Sequence, residues 1–488
     1  MSDIQSRAGD RIGNFRALFE PKSIAVVGAS GNGITAGNRY IRILQSQGFP
    51  GPIFPVHPRT ATIEGLRAYP SIASLPETVD YAYLTIPAER VEGVLSQASG
   101  KLRFAQIMAT AEPDKAKDWE RRLVKLAQEG GFRIIGPNCM GTHSPRSKCT
   151  FIENVPTVCG DVGIACQSGG LGVDILRRGQ ELGLRYSGLV TLGNSVDVEP
   201  SDLLEFYLND PQTKVIGLYV EDIKDGRRFQ QLARERRGGK PVVALVGGLT
   251  KDGRKAASSH TGAMGASDVA WKALARQTGI ILTQTLNEFL YALQVCSAFQ
   301  PKDGSFPPRV TLFGNGGGTS VLATDAINRA GLELAVPNLE AASELGKIEM
   351  PPGASLSNPF DLPASVLKTD NGRIAKRILD IDRKYTNPYA TIIHINLSVI
   401  MEYRHIPGFI ENLIESILSG APDNDSAPHK LLVIRSDRSE EADRWRRIIK
   451  DAAIVHRVPV FDEIPQAIQS LALYRLYETF RSNIADPS

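Results

Sequence analysis

Short runs of apolar, often β-branched residues alternate with longer segments of helical periodicity along most of the chain. In the N-terminal third, five such runs predict short buried strands, and the segments between them are long enough to form helices. This alternation is typical of a doubly wound parallel sheet. The predicted strands cover residues 23–28, 53–56, 81–86, 104–108 and 132–136, and the predicted helices cover 38–47, 88–99 and 115–129.

The same alternation starts again twice further along the chain. A polar, turn-rich stretch at 143–158 precedes the second series, and a stretch rich in turn-forming residues at 299–308 precedes the third. We therefore predict an α/β fold of three tandem domains, at residues 1–147, 148–300 and 301–488. The later strands are predicted at 161–166, 186–192, 215–220, 241–246, 310–313, 391–396 and 430–434, and the later helices at 172–182, 321–330 and 464–481.

Length and composition agree with this organisation. The 488 residues correspond to about three domains of roughly 150 residues each. The 56 basic and 53 acidic residues leave a net charge of +3 without a long basic block, which makes nucleic acid and anionic membrane poor candidates as primary partners. The polar first 22 residues lack the apolar segment of a signal peptide, and no apolar run approaches the length of a membrane span. We expect a cytoplasmic protein.

The five cysteines are scattered, and none forms a C-x-x-C pair or lies at metal-ligand spacing from a histidine. We therefore expect no disulfide framework and no metal site, and we expect the cysteines to pack as small buried residues.

A glycine-rich turn between a strand and a helix occurs three times, at 28–33, 167–172 and 314–320. Glycine lets backbone N–H groups approach an anion closely, and the start of the following helix adds the positive end of its dipole. Each turn alone is weak evidence, because tight strand-to-helix turns need glycine anyway. The consecutive glycines of the third turn reduce helix stability and so indicate a reason beyond the turn itself.

The first turn does not fit the dinucleotide pattern G-x-G-x-x-G cleanly. The acidic residue that binds a ribose diol near the end of the second strand is also missing, and Arg59 lies there instead. A basic residue suits a ribose that carries a phosphate, as in NADP or coenzyme A. The alternative for Arg59 is a solvated surface charge, and an NADP-dependent oxidoreductase is one rival function.

His260 lies among small residues in the sequence AASSHTGAMG. An imidazole can take a phosphoryl group on one nitrogen when an acceptor orients the other nitrogen. Glu221 follows the predicted strand 215–220, at a place where parallel sheets put functional groups. The alternatives are an ordinary histidine and a surface acid that pairs with Lys224 or Arg227.

The order of the motifs resembles the NDP-forming (ADP-forming) acyl-CoA synthetases, which are relatives of succinyl-CoA synthetase, over nearly the whole chain. SSHTG at 258–262 resembles the phosphohistidine motif of that family, and the first glycine turn with VHPR at 56–59 resembles its CoA-binding loop and strand. The other matching motifs are TIPA at 85–88, GPNCMG at 136–141, GNSVDVEPSDLL at 193–204, GGGTSVLATD at 316–325 and NPFD at 358–361.

The resemblance implies a role for each matching residue. His260 would become phosphorylated and Glu221 would position it. The phosphoryl group would be held by two helix N-termini, and the first domain would contact CoA. The phosphate-binding residues would be Ser168, Gly169, Gly170, Gly316, Gly317 and Gly318, and the CoA-binding residues would be Gly28, Ala29, Ser30, Gly31, Arg59, Pro87 and Asn138.

The resemblance also implies the architecture and the reaction. It predicts a Rossmann-like CoA-binding domain followed by two flavodoxin-like ligase domains, in an alpha-type subunit of an acid–thiol ligase. No segment remains for the ATP-grasp module that moves phosphate between phosphohistidine and nucleotide. ATP, ADP and Mg²⁺ would therefore bind through a separate ATP-grasp (beta-type) subunit in a hetero-oligomer. A second rival is a non-catalytic acyl-CoA sensor, and no motif specifies which carboxylic acid is the substrate.

Overall fold

The computed structural model describes residues 15–236, 239–261, 267–350, 354–419 and 427–485, with the side chains of residues 258–261 and 485 outside the description. The chain divides into two compact units, Met1–Phe289 and Leu290–Ser488. The first unit contains two large sheets, and the second contains one.

The N-terminal sheet has five parallel strands in the order β2-β1-β5-β6-β7, with a separate hairpin of β3 and β4. One face is covered by a helix whose Trp119, Leu123 and Ala127 recur every four residues and form a single buried stripe. The strands are β1 (Ile24–Val27), β2 (Ile53–Val56), β3 (Thr62–Ile63), β4 (Leu66–Arg67), β5 (Val79–Leu84), β6 (Leu102–Ile107) and β7 (Arg133–Ile135), and the helices are α1 (Ala36–Gln47), α2 (Ala88–Leu95) and α3 (Pro113–Gly130).

The second sheet has six strands in the order β13-β12-β11-β9-β10-β8, of which β8 is antiparallel to β10 and the others are parallel. Strand β8 comes from the polar stretch that follows β7, and its two residues are buried. The strands are β8 (Thr142–His143), β9 (Val162–Cys166), β10 (Tyr186–Thr191), β11 (Val215–Val220), β12 (Val242–Val246) and β13 (Ile281–Thr283), and the helices are α4 (Gly169–Glu181), α5 (Pro200–Asn209), α6 (Gly226–Glu235), α7 (Lys251–Thr261) and α8 (Asp268–Thr278).

Helix α9 (Leu286–Ala298) contains the division between the two units. In the second unit, a parallel sheet has the order β15-β14-β17-β18-β19, and β16 also pairs with β14. Its strands are β14 (Arg309–Gly314), β15 (Glu333–Leu334), β16 (Phe360–Asp361), β17 (Ala390–Asn396), β18 (His429–Arg435) and β19 (Val460–Phe461), and its helices are α10 (Gly317–Arg329), α11 (Leu339–Gly346), α12 (Ala364–Leu367), α13 (Ile374–Ile381), α14 (Leu397–Met401), α15 (Phe409–Leu418), α16 (Glu440–Val455) and α17 (Ile464–Ala485).

The three parallel sheets share one strand order. With the antiparallel β8 and the short β16 set aside, the first strand of each sheet lies between the second and the third, and the later strands follow outward from the third. Ligands of such sheets bind beyond the carboxyl ends of the strands where the order reverses, between the first and third strands. Each predicted glycine turn follows the strand at which the order reverses, which is β1, β9 or β14, and therefore lies at this point. The prediction of a doubly wound α/β fold is confirmed.

Candidate phosphoryl-transfer and CoA site

The first glycine turn packs against the end of β5. Gly28 has φ of +110°, and a Cβ atom placed on it would lie 2.8 Å from the carbonyl oxygen of Thr85. Asn38 is fully buried and fixes the turn by two hydrogen bonds. It accepts one from Ser30 N and donates one to Ser30 O, each at 2.9 Å. Thr35 caps helix α1 by accepting from the Asn38 N–H. These contacts fix the loop backbone beyond the carboxyl ends of the strands, at the place where the strand order reverses.

The end of β2 lies beside this turn. The Nδ1 atom of His57 accepts hydrogen bonds from the backbone N–H groups of Arg59 (3.2 Å) and Thr60 (3.0 Å). A Cβ atom on Gly31 would lie 3.3 Å from Thr60 Cγ2, so the glycine loop and the Arg59 segment are neighbours. The side chain of Arg59 is exposed at this edge, where a phosphate of a bound ligand can reach it.

A cavity of about 670 Å³ lies at the carboxyl ends of β5 and β6. Pro87, which precedes helix α2, lines it together with Ala36 at the start of helix α1. Lys115 and Arg122 add cationic groups, and Arg122 also pairs with Glu92 at 3.0 Å. Its volume lies in the range of small-molecule and cofactor sites. The structure therefore brings Pro87 to the cavity wall, while Ala29 is a buried residue of the adjoining turn.

Asn138 has a different setting from the other predicted CoA-binding residues. Its backbone N–H donates to the carbonyl of Ala109, a lining residue of the 670 Å³ cavity, at 3.0 Å. Its side-chain amide donates to Asn194 Oδ1 at 3.3 Å, and Asn194 N donates to Pro137 O at 3.0 Å. Asn138 therefore joins the cavity wall to the segment that follows β10.

The second glycine turn opens helix α4. The hydroxyl of Ser168 caps the helix by accepting from Leu171 N at 3.3 Å. Gly169 lies against the side chain of Met140, which leaves no room for a Cβ atom. Around the Cβ position of Gly170, the described residues place no atom within 4 Å. The structure therefore explains Gly169 by packing and leaves Gly170 with an open approach to its backbone.

Glu221 lies beside the second turn because Gln167 connects the two. The Oε1 atom of Gln167 accepts hydrogen bonds from Glu221 N (2.6 Å) and Asp222 N (3.0 Å). Tyr219 donates its hydroxyl to Glu221 Oε1 at 3.0 Å, and burial together with this carboxylate raises the pKa of Tyr219. Gln167 was not among the predicted site residues, although it directly precedes Ser168. Lys224, the alternative partner of Glu221, donates to Ser195 O at 2.6 Å.

His260 belongs to helix α7, and its side chain lies outside the described residues. The helix follows β12, whose end lies next to the end of β11, since Gly247 N donates to Val220 O at 2.8 Å. A Cβ atom on Gly247 would lie 3.2 Å from Glu221 Cγ, and one on Gly248 would lie 3.5 Å from Ala257 Cβ. Ala257, three residues before His260, therefore packs close to the Glu221 strand end.

The third glycine turn opens helix α10 in the second unit. Gly316 N donates to Asp361 Oδ1 at 2.9 Å, and a Cβ atom on Gly317 would lie 3.0 Å from Asp361 Oδ2. In the part of the chain that the structure describes, Gly318 has no atom within 4 Å of its Cβ position. Gly170 and Gly318 thus share one property, which is an unobstructed backbone in the first turn of a helix.

The chain matches two family models. Residues 22–145 match a CoA binding domain, and residues 159–296 match a succinyl-CoA ligase like flavodoxin domain. The alpha subunit of acetate–CoA ligase (ADP-forming) II from Pyrococcus furiosus is 34% identical over 370 residues, which cover 74% of this chain and 79% of that protein. The chain belongs to the family of ADP-forming acyl-CoA ligase alpha subunits.

Other members of this family are longer single chains. Acetate–CoA ligase (ADP-forming) II from Archaeoglobus fulgidus is 34% identical over 360 residues, which cover 72% of this chain and 52% of that protein. Among solved structures, a dinucleotide forming acetyl-coenzyme A synthetase from Ca. Korarchaeum cryptofilum, in complex with phosphate and ADP, is 25% identical with a TM-score of 0.82. The match covers 96% of this chain and 98% of that chain.

These matches confirm the predictions of family, of CoA-binding and succinyl-CoA ligase-like domains, and of an acid–thiol ligase of the alpha type. Membership in this family disfavours the NADP-dependent oxidoreductase. Alpha subunits imply a partner subunit.

In the part of the chain that the structure describes, no helix is both long and apolar enough to cross a membrane. Cys139, Cys149, Cys166 and Cys296 are buried as predicted, but Cys159 is exposed.

Proposed function

We propose that the chain is the CoA-binding, phosphoryl-relay subunit of an ADP-forming carboxylate–CoA ligase. The complete enzyme interconverts acyl-CoA, phosphate and ADP with carboxylate, CoA and ATP. Acetate is the first candidate acid, because it is the acid named for several relatives. The substrate class is a carboxylate. We also propose domain limits at residues 1–147, 148–300 and 301–488.

In the direction of ATP formation, the first step is thioester cleavage. CoA binds in the 670 Å³ cavity, with its phosphates on the Gly28–Gly31 turn and Arg59. A phosphate oxygen attacks the thioester carbonyl, the C–S bond breaks, and CoA leaves as the thiol once it gains a proton. The products are free CoA and an acyl phosphate.

The second step moves the phosphoryl group to His260. One imidazole nitrogen attacks phosphorus, the bond from phosphorus to the acyl oxygen breaks, and the carboxylate leaves. Glu221 accepts the N–H of the other imidazole nitrogen and so orients the ring and stabilises its positive charge. The open N–H groups at Ser168–Gly170 bind the phosphoryl oxygens at the positive end of helix α4.

The third step transfers the phosphoryl group from His260 to ADP, and it needs a partner. We assign ADP and Mg²⁺ to a separate ATP-grasp subunit, which makes the working enzyme a hetero-oligomer. The single-chain relatives support this assignment, because this chain corresponds to about half of their length. Gly316–Gly318 form the second anion-binding helix N-terminus.

One observation carries the proposal. Gln167 fixes the backbone of Glu221 at 2.6 Å directly beside Ser168, so an orienting carboxylate and an anion-binding helix N-terminus occupy one edge of one sheet. The packing of Ala257 near this edge places helix α7, which contains His260, in the same region.

The test is to incubate the purified chain with radiolabelled inorganic phosphate and acetyl-, 4-hydroxybutyryl- or feruloyl-CoA, without nucleotide. We expect acid-labile, alkali-stable label on His260 with at least one of the three. His260→Ala should abolish the label and leave CoA binding unchanged. His456→Ala, at an exposed histidine, is the matched control and should label normally.

If His260→Ala still carries the label, the phosphohistidine assignment is wrong. If wild-type chain binds CoA but takes no label even when an ATP-grasp partner is added, the acyl-CoA sensor is the better explanation.

A further inference from the structure

Three side chains of the first unit connect the 670 Å³ cavity to the second glycine turn. Met108 lines the cavity, and the hydroxyl of Tyr83 lies 2.9 Å from Met108 Sδ. The same hydroxyl donates to the carbonyl oxygen of Met140 at 2.8 Å. The side chain of Met140 packs on the turn, because a Cβ atom on Gly169 would lie 3.6 Å from Met140 Sδ. Met140 therefore lies between the cavity and the N-terminus of helix α4.

This position is where the proposed reaction needs the acyl group. CoA would occupy the cavity, and the attacking phosphate would bind at Ser168–Gly170. Reacting atoms must approach each other to about 3–3.5 Å, so the thioester carbon has to come next to this turn. The acyl chain on that carbon then shares its space with the side chain of Met140.

The backbone of Met140 is held on both sides. Its N–H donates to Thr191 Oγ1 at 3.0 Å, and Gly141 N donates to the same oxygen at 2.8 Å. Thr191 is fully buried. Tyr83, which binds the Met140 carbonyl, is also buried and stacks on Tyr40 with ring centroids 4.0 Å apart. Because these contacts fix the backbone, the Met140 side chain stays between the turn and the cavity.

The chemistry of this side chain suits an alkyl group. Met140 is partly exposed, so its packing on Gly169 uses only part of its surface. The thioether is apolar and unbranched, and a single methylene in a closely fitting pocket changes discrimination between substrates by about 10–200-fold. The volume that Met140 occupies can therefore limit the length of the acyl group.

We propose that Met140 limits acyl length, so that the chain takes short unbranched aliphatic acids in preference to longer ones. This inference rests on the proposed function, since it needs the thioester to lie between the cavity and the second turn. Met140 determines specificity and is not a catalytic residue, because it supplies no acid, base or charge.

The test is isothermal titration of the full chain with CoA, acetyl-CoA, butyryl-CoA and hexanoyl-CoA, in buffer without phosphate or nucleotide. We expect wild type to bind hexanoyl-CoA at least tenfold more weakly than acetyl-CoA, with butyryl-CoA between them. In Met140→Ala the difference should fall below threefold, because the removed atoms leave room for the longer chain. The affinity for CoA itself should not change.

Two further variants control for packing and folding. Met350→Ala removes the same atoms from a partly buried methionine of the second unit and should keep the wild-type difference. Met140→Val retains more of the apolar side chain, so its difference should lie between those of wild type and Met140→Ala. If Met140→Ala loses CoA binding through a folding defect, Met140→Val decides the outcome.

The proposal is overturned if wild type binds no acyl-CoA, if it binds acetyl-CoA and hexanoyl-CoA equally, or if the Met140 variants keep the wild-type difference. None of these results depends on phosphorylation of His260. An unchanged difference with normal labelling of His260 removes only the role of Met140. The expected shift in affinity without any labelling removes the phosphoryl relay and leaves the acyl site.

Discussion

Among the described residues, no atom lies within 4 Å of the place where a Cβ atom of Gly170 or Gly318 would be. Packing within their own units therefore does not explain these glycines, in contrast to Gly169, which Met140 restricts. Glycine in a helix is less stable than alanine. We propose close approach of an anion to the bare backbone as the reason for these glycines.

Gly170→Ala separates stability from function. We expect the unfolding free energy to rise by about 0.5–1 kcal/mol, while phosphohistidine labelling falls at least tenfold because the methyl group blocks the N–H groups. Gly226→Ala is the matched control, since Gly226 also opens a helix and no atom of the described residues lies within 4 Å of its Cβ position. It should gain similar stability and label normally. Equal labelling of both variants contradicts the anion-binding role of Gly170.

Gly28 is constrained in the opposite way, by a positive φ and by contact with Thr85. Gly28→Ala should destabilise the chain by roughly 1–3 kcal/mol and abolish CoA binding, as measured by calorimetry. Gly100→Ala, at φ of +68° with free space around it, is the control for backbone strain alone. If Gly28→Ala still binds CoA, this turn is not part of the CoA site.

Glu221→Gln tests the orienting carboxylate. The variant keeps the backbone bond to Gln167 and loses the negative charge, so we expect the rate of phosphohistidine labelling to fall about 10²-fold with unchanged CoA affinity. Tyr219→Phe, which removes only the hydroxyl that donates to Glu221, should slow labelling much less. If the labelling rate of Glu221→Gln is unchanged, Glu221 is an ordinary surface acid and does not orient the histidine.

At the scale of elements, the strand–turn–helix units were predictable because they are local patterns. The predicted strands at 53–56 and 215–220 match β2 and β11 residue for residue, and the three glycine turns lie where the sequence puts them. Strand β8 was not predicted. Its surroundings are polar, and partners remote in sequence satisfy several of the polar groups buried there, as when Ser144 and Ser147 donate to Phe19 O.

The contacts that assemble the site were equally hidden from the sequence. Gln167 is an unremarkable residue until β9 and β11 pair and bring its amide to the Glu221 backbone. Asn138 was predicted as a CoA contact, and its side-chain bond to Asn194 depends on a close approach between two sheets. Motif resemblance identifies residue types, but long-range parallel pairing decides their neighbours.

At the scale of the whole molecule, the second unit depends on a buried charged cluster. Glu478 is fully buried and accepts hydrogen bonds from Lys302 N (2.8 Å), Tyr389 OH (2.6 Å) and His429 Nε2 (3.0 Å). The cluster attaches the chain segment after helix α9 to helix α17. The ammonium group of Lys302 is buried nearby without a hydrogen-bond partner among the described residues, and burial lowers the pKa of Lys302 to about 8.

This pKa predicts a pH dependence of stability. Between pH 8 and the ordinary lysine value of 10.5, the unfolded chain binds a proton that the folded chain does not, so Lys302 contributes stability that rises with pH. Lys302→Met should therefore exceed wild type by roughly 1–3 kcal/mol at pH 7, and its advantage should shrink toward zero near pH 10. Urea unfolding at several pH values measures the difference.

Lys347→Met, at an exposed lysine paired with Glu344, controls for the general loss of a positive charge and should show no such trend. A constant difference between Lys302→Met and wild type across this pH range would contradict the assignment.

Helix α3 has one end in each of two cavities of the first unit. Lys115 in its first turn lines the 670 Å³ cavity, and Gln128 in its last turn lines a cavity of about 560 Å³ at the amino ends of β6 and β7. Its 18 residues form a rigid helix about 27 Å long. Two ligands that do not touch each other would therefore contact opposite ends of one rigid element. By thermodynamic reciprocity, any factor by which a ligand of the second cavity changed the affinity for CoA would equal the factor by which CoA changed the affinity for that ligand.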